Sequence, residues 1–116
     1  MELIFIALWI DVSTSKFQLK LFDGSRLIKT YHIGVGKILT PTPFGIYTII
    51  NKDLTPPPQF GVLWMGLSNP HYGIHGTNNP ASIGKNLSHG CIRMNNFDVL
   101  ELSAIVPIGT SVTIHQ

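Results

Sequence analysis

The chain has only one cysteine in its 116 residues. A single thiol cannot form an internal disulfide, which excludes a disulfide-stapled scaffold, and the Cys-x-x-Cys pair of a zinc ribbon is absent. Charge is also scarce: 12% of the residues are charged, and eight Lys and Arg against six Asp and Glu give a net charge of +2. The basic residues are scattered, so the sequence gives no support for nucleic-acid binding.

No hydrophobic run approaches the roughly 20 residues that a transmembrane helix needs. The main apolar stretch is residues 3–10 (LIFIALWI). Glu2 stands where a signal peptide has positive residues, and Asp11 follows without a small-x-small cleavage site. We therefore predict a buried strand over residues 3–11, and we expect neither an export signal nor an integral membrane segment.

The sequence does have a clear β pattern. Residues 16–22 (KFQLKLF) alternate between polar and apolar, and the dipeptide 23–24 (DG) that follows is typical of a hairpin turn. Residues 45–51 (GIYTIIN) are rich in β-branched side chains, which favour strands. We predict strands over seven ranges: 3–11, 16–22, 26–35, 45–51, 61–67, 71–75 and 110–115.

Proline, glycine and asparagine predict loops at residues 40–43, 56–58 and 78–87. After Met94 the pattern becomes helical, with Asn95 or Asn96 as the N-cap. The predicted apolar stripe of this helix contains Phe97, Val99, Leu100, Leu102 and Ile105. Together these features predict one domain over residues 1–116, a mainly β mixed sheet or barrel-like fold with one short α-helix near the C-terminus.

The one thiol lies in residues 88–94 (SHGCIRM), with histidines near it and upstream. A thiol attacks carbonyls as the thiolate, and a free pKa of about 8.5 leaves only a few per cent ionised at neutral pH. An imidazole that takes the proton removes this limit, so we expect the pKa of Cys91 to lie below the free value. His89 is two residues away, and His75 is 16 residues earlier. We favour His75 as the general base, because such bases usually approach from a separate segment.

Glycine accompanies both predicted catalytic residues: Gly76 follows His75, and Gly90 precedes Cys91. Glycine permits tight backbone geometry and close approach of a substrate. The backbone N–H groups of Gly90 and Cys91 are candidate oxyanion donors, and such donors are worth about 3–4 kcal/mol in acyl-transfer enzymes. These residues therefore predict a cysteine nucleophile with a histidine base and backbone donors.

Two other interpretations compete with a nucleophile. An isolated cysteine is most often a small buried hydrophobe, although glycine, arginine and two histidines near Cys91 argue against it here. A zinc site made from His71, His75, His89 and Cys91 is the other alternative. Gly73 between the first two histidines argues against a helix there, and the glutamate of His-Glu-x-x-His is absent. We therefore expect no metal and no cofactor.

These residues resemble the signature of the L,D-transpeptidase catalytic domain, the YkuD family. The family pattern is a histidine in His-Gly-Thr, followed by Ser/Thr-His-Gly-Cys, a hydrophobic residue and then Arg or Asn. This sequence has residues 75–77 (HGT), 82–84 (SIG) and 88–94 (SHGCIRM) in that order. Outer segments also resemble the family, so the resemblance covers nearly the whole chain: residues 11–13, 17–19, 40–45 and 106–112.

The resemblance implies a β-rich fold with one helix and an enzyme that acts on peptidoglycan stem peptides. In such enzymes the cysteine attacks the peptide bond after the third, diamino acid residue of a tetrapeptide stem, and the terminal D-Ala leaves. A side-chain amine then resolves the thioester and gives a 3→3 cross-link. Water as the acceptor would make the same site an L,D-carboxypeptidase-type hydrolase. An alternative of another class is a non-catalytic cell-wall-binding module in which Cys91 is merely buried.

Carried onto this sequence, the resemblance implies Cys91 as the nucleophile and His75 as the base. The backbone carbonyl of Gly76 would orient the imidazole. Arg93 would hold a substrate carboxylate or brace the loop, and Ser88 is favoured as structural. The substrate-binding residues that the resemblance implies are His89, Arg93, Ser88, Tyr72 and Trp64, the last two as walls of the donor groove.

The resemblance also implies where such a protein works and what inhibits it. Its substrate is extracytoplasmic, so a place in the cell envelope is expected, although the sequence displays no export signal. Carbapenem β-lactams are the expected inhibitors. We further expect a monomer that binds stem peptides and no nucleic acid.

Overall fold

The computed structural model describes residues 5–116 of the chain. Within this range the backbone forms nine strands and one α-helix. The prediction of a mainly β fold with one short α-helix near the C-terminus is confirmed. The bounds are Leu8–Ser13 (β1), Gln18–Asp23 (β2), Arg26–Gly36 (β3), Gly45–Asp53 (β4), Trp64–Leu67 (β5), Gly73–His75 (β6), Asn86–Ser88 (β7), Ile92–Met94 (β8), Asn96–Ile105 (α1) and Ser111–His115 (β9).

A closed sheet organises these strands. Eight of them follow the order β2-β1-β9-β4-β5-β6-β8-β3, and a further pairing of β2 with β3 joins the two ends into a barrel. The long strand β3 makes this closure possible, because its residues from Arg26 to His32 pair with β2 and Ile33 and Gly34 pair with β8. Strand β7 pairs with the far end of β3, outside the closed ring.

Alternation along the strands fills the interior of the barrel. Ile10 and Val12 of β1 and Leu19 and Leu21 of β2 are fully buried, as the alternation in residues 16–22 predicts for β2. Burying such a side chain contributes roughly 1.5–3 kcal/mol relative to leaving it exposed. Because apolar side chains occupy the interior, a substrate site has to lie on the outer face of the barrel.

The first strand begins later than predicted. It starts at Leu8, and Ile6 before it is exposed, while residues 3 and 4 lie outside the described residues. The carboxylate of Asp23 accepts hydrogen bonds from the N–H groups of Ile6 and Ala7, which draws this segment out of the sheet ladder. The predicted hairpin is present, but its turn residues are Gly24 and Ser25, because Asp23 still pairs with Arg26, and Gly24 has a positive φ of 59°.

Three predicted boundaries in the middle of the chain also change. The strands predicted from residues 61 and 71 begin at Trp64 and Gly73. The predicted loop 78–87 contains a 3-10 turn at Pro80–Ser82 and the start of β7. Strand β7 forms because Asn86 pairs with the distant Val35, and a local pattern does not reveal such a partner.

The helix begins after Asn95, as predicted, although the Asn95 side chain makes no capping hydrogen bond. Only part of the predicted stripe faces the barrel: Val99 and Leu102 are buried, whereas Phe97 and Leu100 are 74% and 45% exposed. The helix is apolar on several faces, so its sequence alone did not identify the face that packs against the barrel. In the range that the structure describes, no helix has the length and apolar character to cross a membrane.

Candidate active site

The predicted site residues lie on the outer face of two neighbouring parallel strands, β6 and β8. Ile74 pairs with Ile92, and both are buried in the core. Because side chains alternate along a strand, His75 and Arg93 lie on the opposite, outer face, where they are register partners. Cys91 precedes Arg93 by two residues and shares that face. The barrel therefore brings together two segments that are separate in the sequence.

An open cleft of about 620 Å³ lies over this face. A volume of this size is typical of sites for small molecules or short peptides. The cleft is lined by Gln59, Phe60, Pro70, His71, Tyr72, His75, Ser88, His89, Cys91 and Arg93. One cleft thus contains the predicted nucleophile, the predicted base and four of the five predicted substrate-binding residues, all except Trp64.

His75 is buried, and a backbone bond fixes the orientation of its imidazole ring. Nδ1 bonds the carbonyl oxygen of Gly76, the position predicted for the orienting group. A carbonyl only accepts, so Nδ1 carries the proton and Nε2 keeps a free lone pair. This is the tautomer in which Nε2 can take a proton from a thiol.

Asn96, the first residue of α1, secures the backbone that follows His75. Its Oδ1 accepts a hydrogen bond of 3.0 Å from the N–H of Thr77. A Cβ added at Gly76 would lie 2.2 Å from the same oxygen, and a Cβ at Gly61 equally close. Glycine at both positions therefore lets the start of the helix pack against the end of β6.

Burial lowers the pKa of His75 from 6.5 to about 4. The bond to the Gly76 carbonyl raises this pKa in part, and the positive charge of Arg93 lowers it further. The imidazole is therefore neutral at physiological pH and is able to accept a proton.

Cys91 is partly buried, with Sγ 3.7 Å from the carbonyl oxygen of His71. Burial raises the pKa of the Cys91 thiol, and the Gly73 backbone and the Arg93 charge counter this only in part. The expectation of a lowered pKa is therefore wrong for this structure, because desolvation outweighs one nearby cation. At neutral pH the cleft therefore contains a protonated thiol and a neutral imidazole.

The hydroxyl of Ser88 braces the loop that carries Cys91. It donates to the carbonyl of Cys91 at 2.6 Å and accepts from the N–H of Gly90 at 3.1 Å. This geometry agrees with the structural role favoured for Ser88. The N–H of Gly90 already has a partner, so it has to exchange Ser88 for substrate before it can serve an oxyanion, and that role stays a prediction.

Gly90 has a φ of 113°, a conformation that side chains with a Cβ rarely adopt. A Cβ at this position would also lie 2.6 Å from the ring of Tyr72. Tyr72 therefore packs over the turn beside Cys91 and lines the cleft, as expected for a wall of the donor groove. Glycine is required here both for the turn and for the contact.

Trp64 lies behind His75 and not in the cleft wall, which corrects the expectation that it forms a wall of the groove. It is the register partner of His75 across β5 and β6. The indole stacks on the imidazole at 5.5 Å between centroids, with 14° between the planes. Trp64 therefore contacts His75 and can affect proton transfer in the cleft only through that residue.

Arg93 is half-buried, and within the described residues its Nε is a buried side-chain nitrogen without a hydrogen-bond partner. A buried donor left unpaired costs about 1–3 kcal/mol, so such a group is well suited to a ligand. Arg93 also lines the cleft, so its guanidinium lies beside the space that a ligand would occupy.

His71 also lines the cleft, although the sequence suggested it only as a possible zinc ligand, and three further lining residues were missed altogether. Phe60, at the end of the 3-10 turn Pro58–Phe60, approaches the His75 ring at 4.8 Å in an edge-on arrangement. Gln59 and Pro70 form other parts of the wall. All three lie in loops without periodicity, and only the proline run at residues 56–58 hinted at a rigid segment.

Among the residues that the structure describes, no group of three or more His, Cys, Asp or Glu side chains is arranged to hold a metal ion. The alternative of a zinc site built from the histidines and Cys91 thus has no such cluster to support it. The arrangement is better suited to proton transfer between a thiol and an imidazole.

Known solved structures share this fold. The chain superposes on L,D-transpeptidase 3 from Mycobacterium tuberculosis, solved with a faropenem-derived adduct, with a TM-score of 0.83 over 95% of this chain and 60% of that chain, at 18% identity. An L,D-transpeptidase in complex with imipenem gives a TM-score of 0.81 at 20% identity, covering 94% of this chain and 59% of that chain.

Sequence comparison is more specific. The putative L,D-transpeptidase YkuD of Bacillus subtilis is 58% identical over 107 residues, which cover 92% of this chain and 65% of the relative. The chain thus spans about 65% of the length of this curated relative. The family model for the YkuD L,D-transpeptidase catalytic domain matches residues 7–114. This chain belongs to the YkuD family of L,D-transpeptidase catalytic domains.

Proposed function

We propose that this chain is the catalytic domain of a cysteine-dependent L,D-transpeptidase that acts on peptidoglycan stem peptides. The observation that carries the proposal is the placement of Cys91 and His75 in one cleft, with Nδ1 of His75 held by the Gly76 carbonyl. This tautomer leaves Nε2 as the proton acceptor for the thiol. The membership of the chain in the YkuD family supports the substrate class.

The first half-reaction forms a thioester on Cys91. Nε2 of His75 takes the Sγ proton while the sulfur attacks the carbonyl carbon of the bond that joins the third residue of the stem to D-Ala. The carbonyl oxygen becomes an oxyanion, for which the N–H groups of Cys91 and Gly90 are the proposed donors. The C–N bond then breaks, and the imidazolium returns its proton to the amine of the departing D-Ala.

The second half-reaction releases the acyl group. The side-chain amine of another stem attacks the thioester carbonyl, His75 removes a proton from this amine, and the sulfur leaves and regains the proton. The product is a 3→3 cross-link, and both Cys91 and His75 return to their neutral forms.

The electrostatics favour general-base catalysis over a preformed ion pair. Burial raises the pKa of Cys91 and lowers that of His75, so proton transfer between them is uphill at rest. The proton therefore moves as the sulfur attacks, when the negative charge passes to the oxyanion. This arrangement keeps the resting thiol protonated until a substrate is present.

Arg93 is the proposed partner of a substrate carboxylate. Its buried Nε lacks a partner among the described residues, and the guanidinium lines the cleft near Cys91. A charge-assisted bond to the D-Ala carboxylate would satisfy this donor and position the scissile bond. Arg93→Gln is expected to raise KM for the tetrapeptide about tenfold. Arg26→Gln at the exposed Arg26 is the matched control, and an equal KM in both variants would refute this role.

Product analysis tests the reaction itself. The protein is incubated with a disaccharide tetrapeptide, and the products are weighed by mass spectrometry. Transfer gives a dimer with loss of one D-Ala, whereas Cys91→Ser gives neither the dimer nor an acyl-enzyme mass. Unchanged substrate with the wild-type protein would overturn the proposed function.

Hydrolysis is a second candidate that one feature of the cleft favours. Its wall, drawn from the described residues, contains no aspartate or glutamate that would attract a cationic amine acceptor. Water would then compete for the thioester and make the protein an L,D-carboxypeptidase. A tripeptide monomer as the only product would establish this outcome.

Two further tests address the nucleophile. Imipenem is expected to acylate Cys91, seen as a mass increase that is absent from Cys91→Ser. Alkylation by iodoacetamide is the second test: the cleft thiol should react, and faster as the pH rises toward its raised pKa, whereas the buried thiol of a non-catalytic wall-binding module would be inert. Because the proposed substrate is extracytoplasmic, we also propose that the protein acts in the cell envelope.

A further inference from the structure

Two aromatic rings hold the imidazole of His75 from separate directions. Trp64 stacks on it in a near-parallel arrangement, with 5.5 Å between ring centroids. Phe60 meets it edge-on at 4.8 Å and also contacts Trp64 at 4.8 Å. We call Phe60 and Trp64 the aromatic clamp. The three rings form one mutually contacting set beside the cleft.

The backbone around the clamp is shaped to admit the indole. A Cβ at Gly73 would lie 2.6 Å from Cζ2 of Trp64, and a Cβ at Gly66 would lie 3.2 Å from its Nε1. These glycines are register partners in β5 and β6, so neither strand obstructs the ring. The absence of side chains at these two positions therefore leaves room for the indole that stacks on the His75 ring.

We propose that the aromatic clamp is a positioning device that keeps the His75 ring in the rotamer in which Nδ1 meets the Gly76 carbonyl and Nε2 serves Cys91. The proposal rests on the proposed function, because it assigns the clamp a purpose in proton transfer from the thiol. Rotation of the ring would drive it into one of the two aromatic side chains and break the Nδ1 bond. Neither clamp residue carries a charge or gives up a proton, so their effect on proton transfer passes through His75.

The clamp also controls the surroundings in which His75 titrates. It covers the ring on sides that would otherwise meet water, and burial is the main cause of the lowered pKa of His75. The other titratable or charged groups of the cleft are His71, Tyr72, His89, Cys91 and Arg93. None of these is altered when a clamp residue is replaced, so a change in the titration of His75 reports on the clamp.

The experiment compares Trp64→Leu and Trp64→Phe with a control at the other tryptophan. Trp9 stacks on Phe22 at 4.7 Å with 12° between the planes, a similar geometry away from the cleft. Trp9→Leu therefore removes a comparable stack without touching His75. D-Ala release from the tetrapeptide is measured from pH 4 to pH 9 for each variant.

Trp64→Leu is expected to lower kcat about 10–100-fold while KM changes less than about twofold, because a misplaced base affects the reaction more than binding. The acidic limb of its kcat/KM profile, which reports the free enzyme, should move up toward 6.5, the ordinary pKa of histidine. Trp64→Phe should retain most of kcat, and Trp9→Leu all of it. A Trp64→Leu variant with the wild-type kcat and pH profile would overturn the clamp.

A second readout does not depend on turnover. Nitrogen-15 shifts of the His75 ring report its tautomer and pKa directly in each variant, and they separate failure of the clamp from failure of the proposed function. An inactive wild-type protein whose His75 tautomer is fixed by Trp64 refutes only the function. If Trp64→Leu does not fold, Phe60→Leu carries the test with Trp64→Phe as the conservative control, and an unchanged His75 titration in Phe60→Leu refutes the clamp.

Discussion

Two histidines of this chain, His75 and His115, make the same local contact in opposite surroundings. Each places Nδ1 against the backbone carbonyl of the next residue, Gly76 in one case and Gln116 in the other. His75 is buried, and burial lowers its pKa to about 4. His115 is exposed, with Nε2 at 2.9 Å from both carboxylate oxygens of Asp11, and this bond raises its pKa.

The difference separates two properties of a catalytic histidine. The local bond to a neighbouring carbonyl puts a proton on Nδ1 in both rings and so selects the state of that nitrogen. The charge of the imidazole then depends on the group that contacts Nε2 and on the burial of the ring. His115 gains a proton because a carboxylate accepts from it, whereas His75 remains a neutral base beside a thiol.

Loss of the base should have the largest effect in this comparison. His75→Ala is expected to lower kcat by roughly 10²–10⁴-fold, the usual contribution of a general base. His115→Ala removes the bond between Nδ1 of His115 and the Gln116 carbonyl, which lies away from the cleft. This variant should change kcat less than about twofold. D-Ala release from a tetrapeptide measures both.

The same assay tests the choice between His75 and His89, which both line the cleft. His89→Ala should retain more activity than His75→Ala, because no carbonyl among residues 5–116 bonds the His89 ring and fixes a proton-accepting tautomer. Full activity in His75→Ala together with loss in His89→Ala would make His89 the base.

These two histidines also show what the sequence could predict. The cluster at residues 75–77 and 88–94 identified His75, Cys91 and the orienting Gly76 as partners, because the motif fixes short-range spacing and family resemblance supplies the rest. The sequence did not predict the raised pKa of Cys91, which depends on burial by residues distant in the chain. It also missed Phe60, whose place beside His75 follows from a loop without periodicity.

In the fold as well, the sequence predicted the local features and missed those that depend on long-range contacts. Alternation in residues 16–22 predicted the inward side chains of β2, since period two is a local property. Strands β7 and β8 were both missed, because their pairings with β3 are long-range. The buried face of α1 was only partly predicted, because an apolar helix does not encode which side meets the barrel.

A second prediction disturbs the bond between Nδ1 of His75 and the Gly76 carbonyl and leaves the corresponding bond of His115 intact. Gly76→Ala would place a Cβ 2.2 Å from Oδ1 of Asn96 and 3.2 Å from the N–H nitrogen of Val62, so the carbonyl that holds His75 has to move. We expect a loss of about 2–3 kcal/mol in the free energy of unfolding from overpacking and the broken Asn96 bond. Urea denaturation measures it.

Gly84→Ala is the matched control for Gly76→Ala. Gly84 has a positive φ of 82°, but a Cβ there meets nothing within 4 Å. Its cost should be limited to the backbone conformation, about 1 kcal/mol. An equal loss in the two variants would show that crowding at Asn96 is unimportant.

The third prediction concerns stability at acidic pH and follows from the lowered pKa of His75. A buried His75 with a pKa near 4 must stay neutral in the folded state, while the unfolded chain protonates at its ordinary pKa of 6.5. Stability is therefore lost as the pH falls from 6.5 toward 4, by about 2 kcal/mol at pH 5 relative to neutral pH. His75→Gln should remove this part of the acid destabilisation.

Urea midpoints at pH 7 and pH 5 provide the measurement for His75→Gln. The wild-type protein should lose more stability between these two values than the variant does. Parallel losses in both proteins would mean that His75 is not the group that titrates.

The smallest effect is expected from Asp11→Asn. Removing the carboxylate should lower the pKa of His115 toward its ordinary value, because the bond to Asp11 is the largest cause of the increase. A raised pKa in the folded state stabilises the fold below the unfolded pKa, and this contribution disappears as the pH rises through the folded value. The pair is exposed, so its removal should cost less than about 1 kcal/mol at pH 5 and still less at pH 9. Proton NMR titration of His115 checks the pKa directly. An unchanged titration would mean that the carbonyl of Gln116, and not Asp11, sets the charge of this ring, and the contrast with His75 would then rest on burial alone.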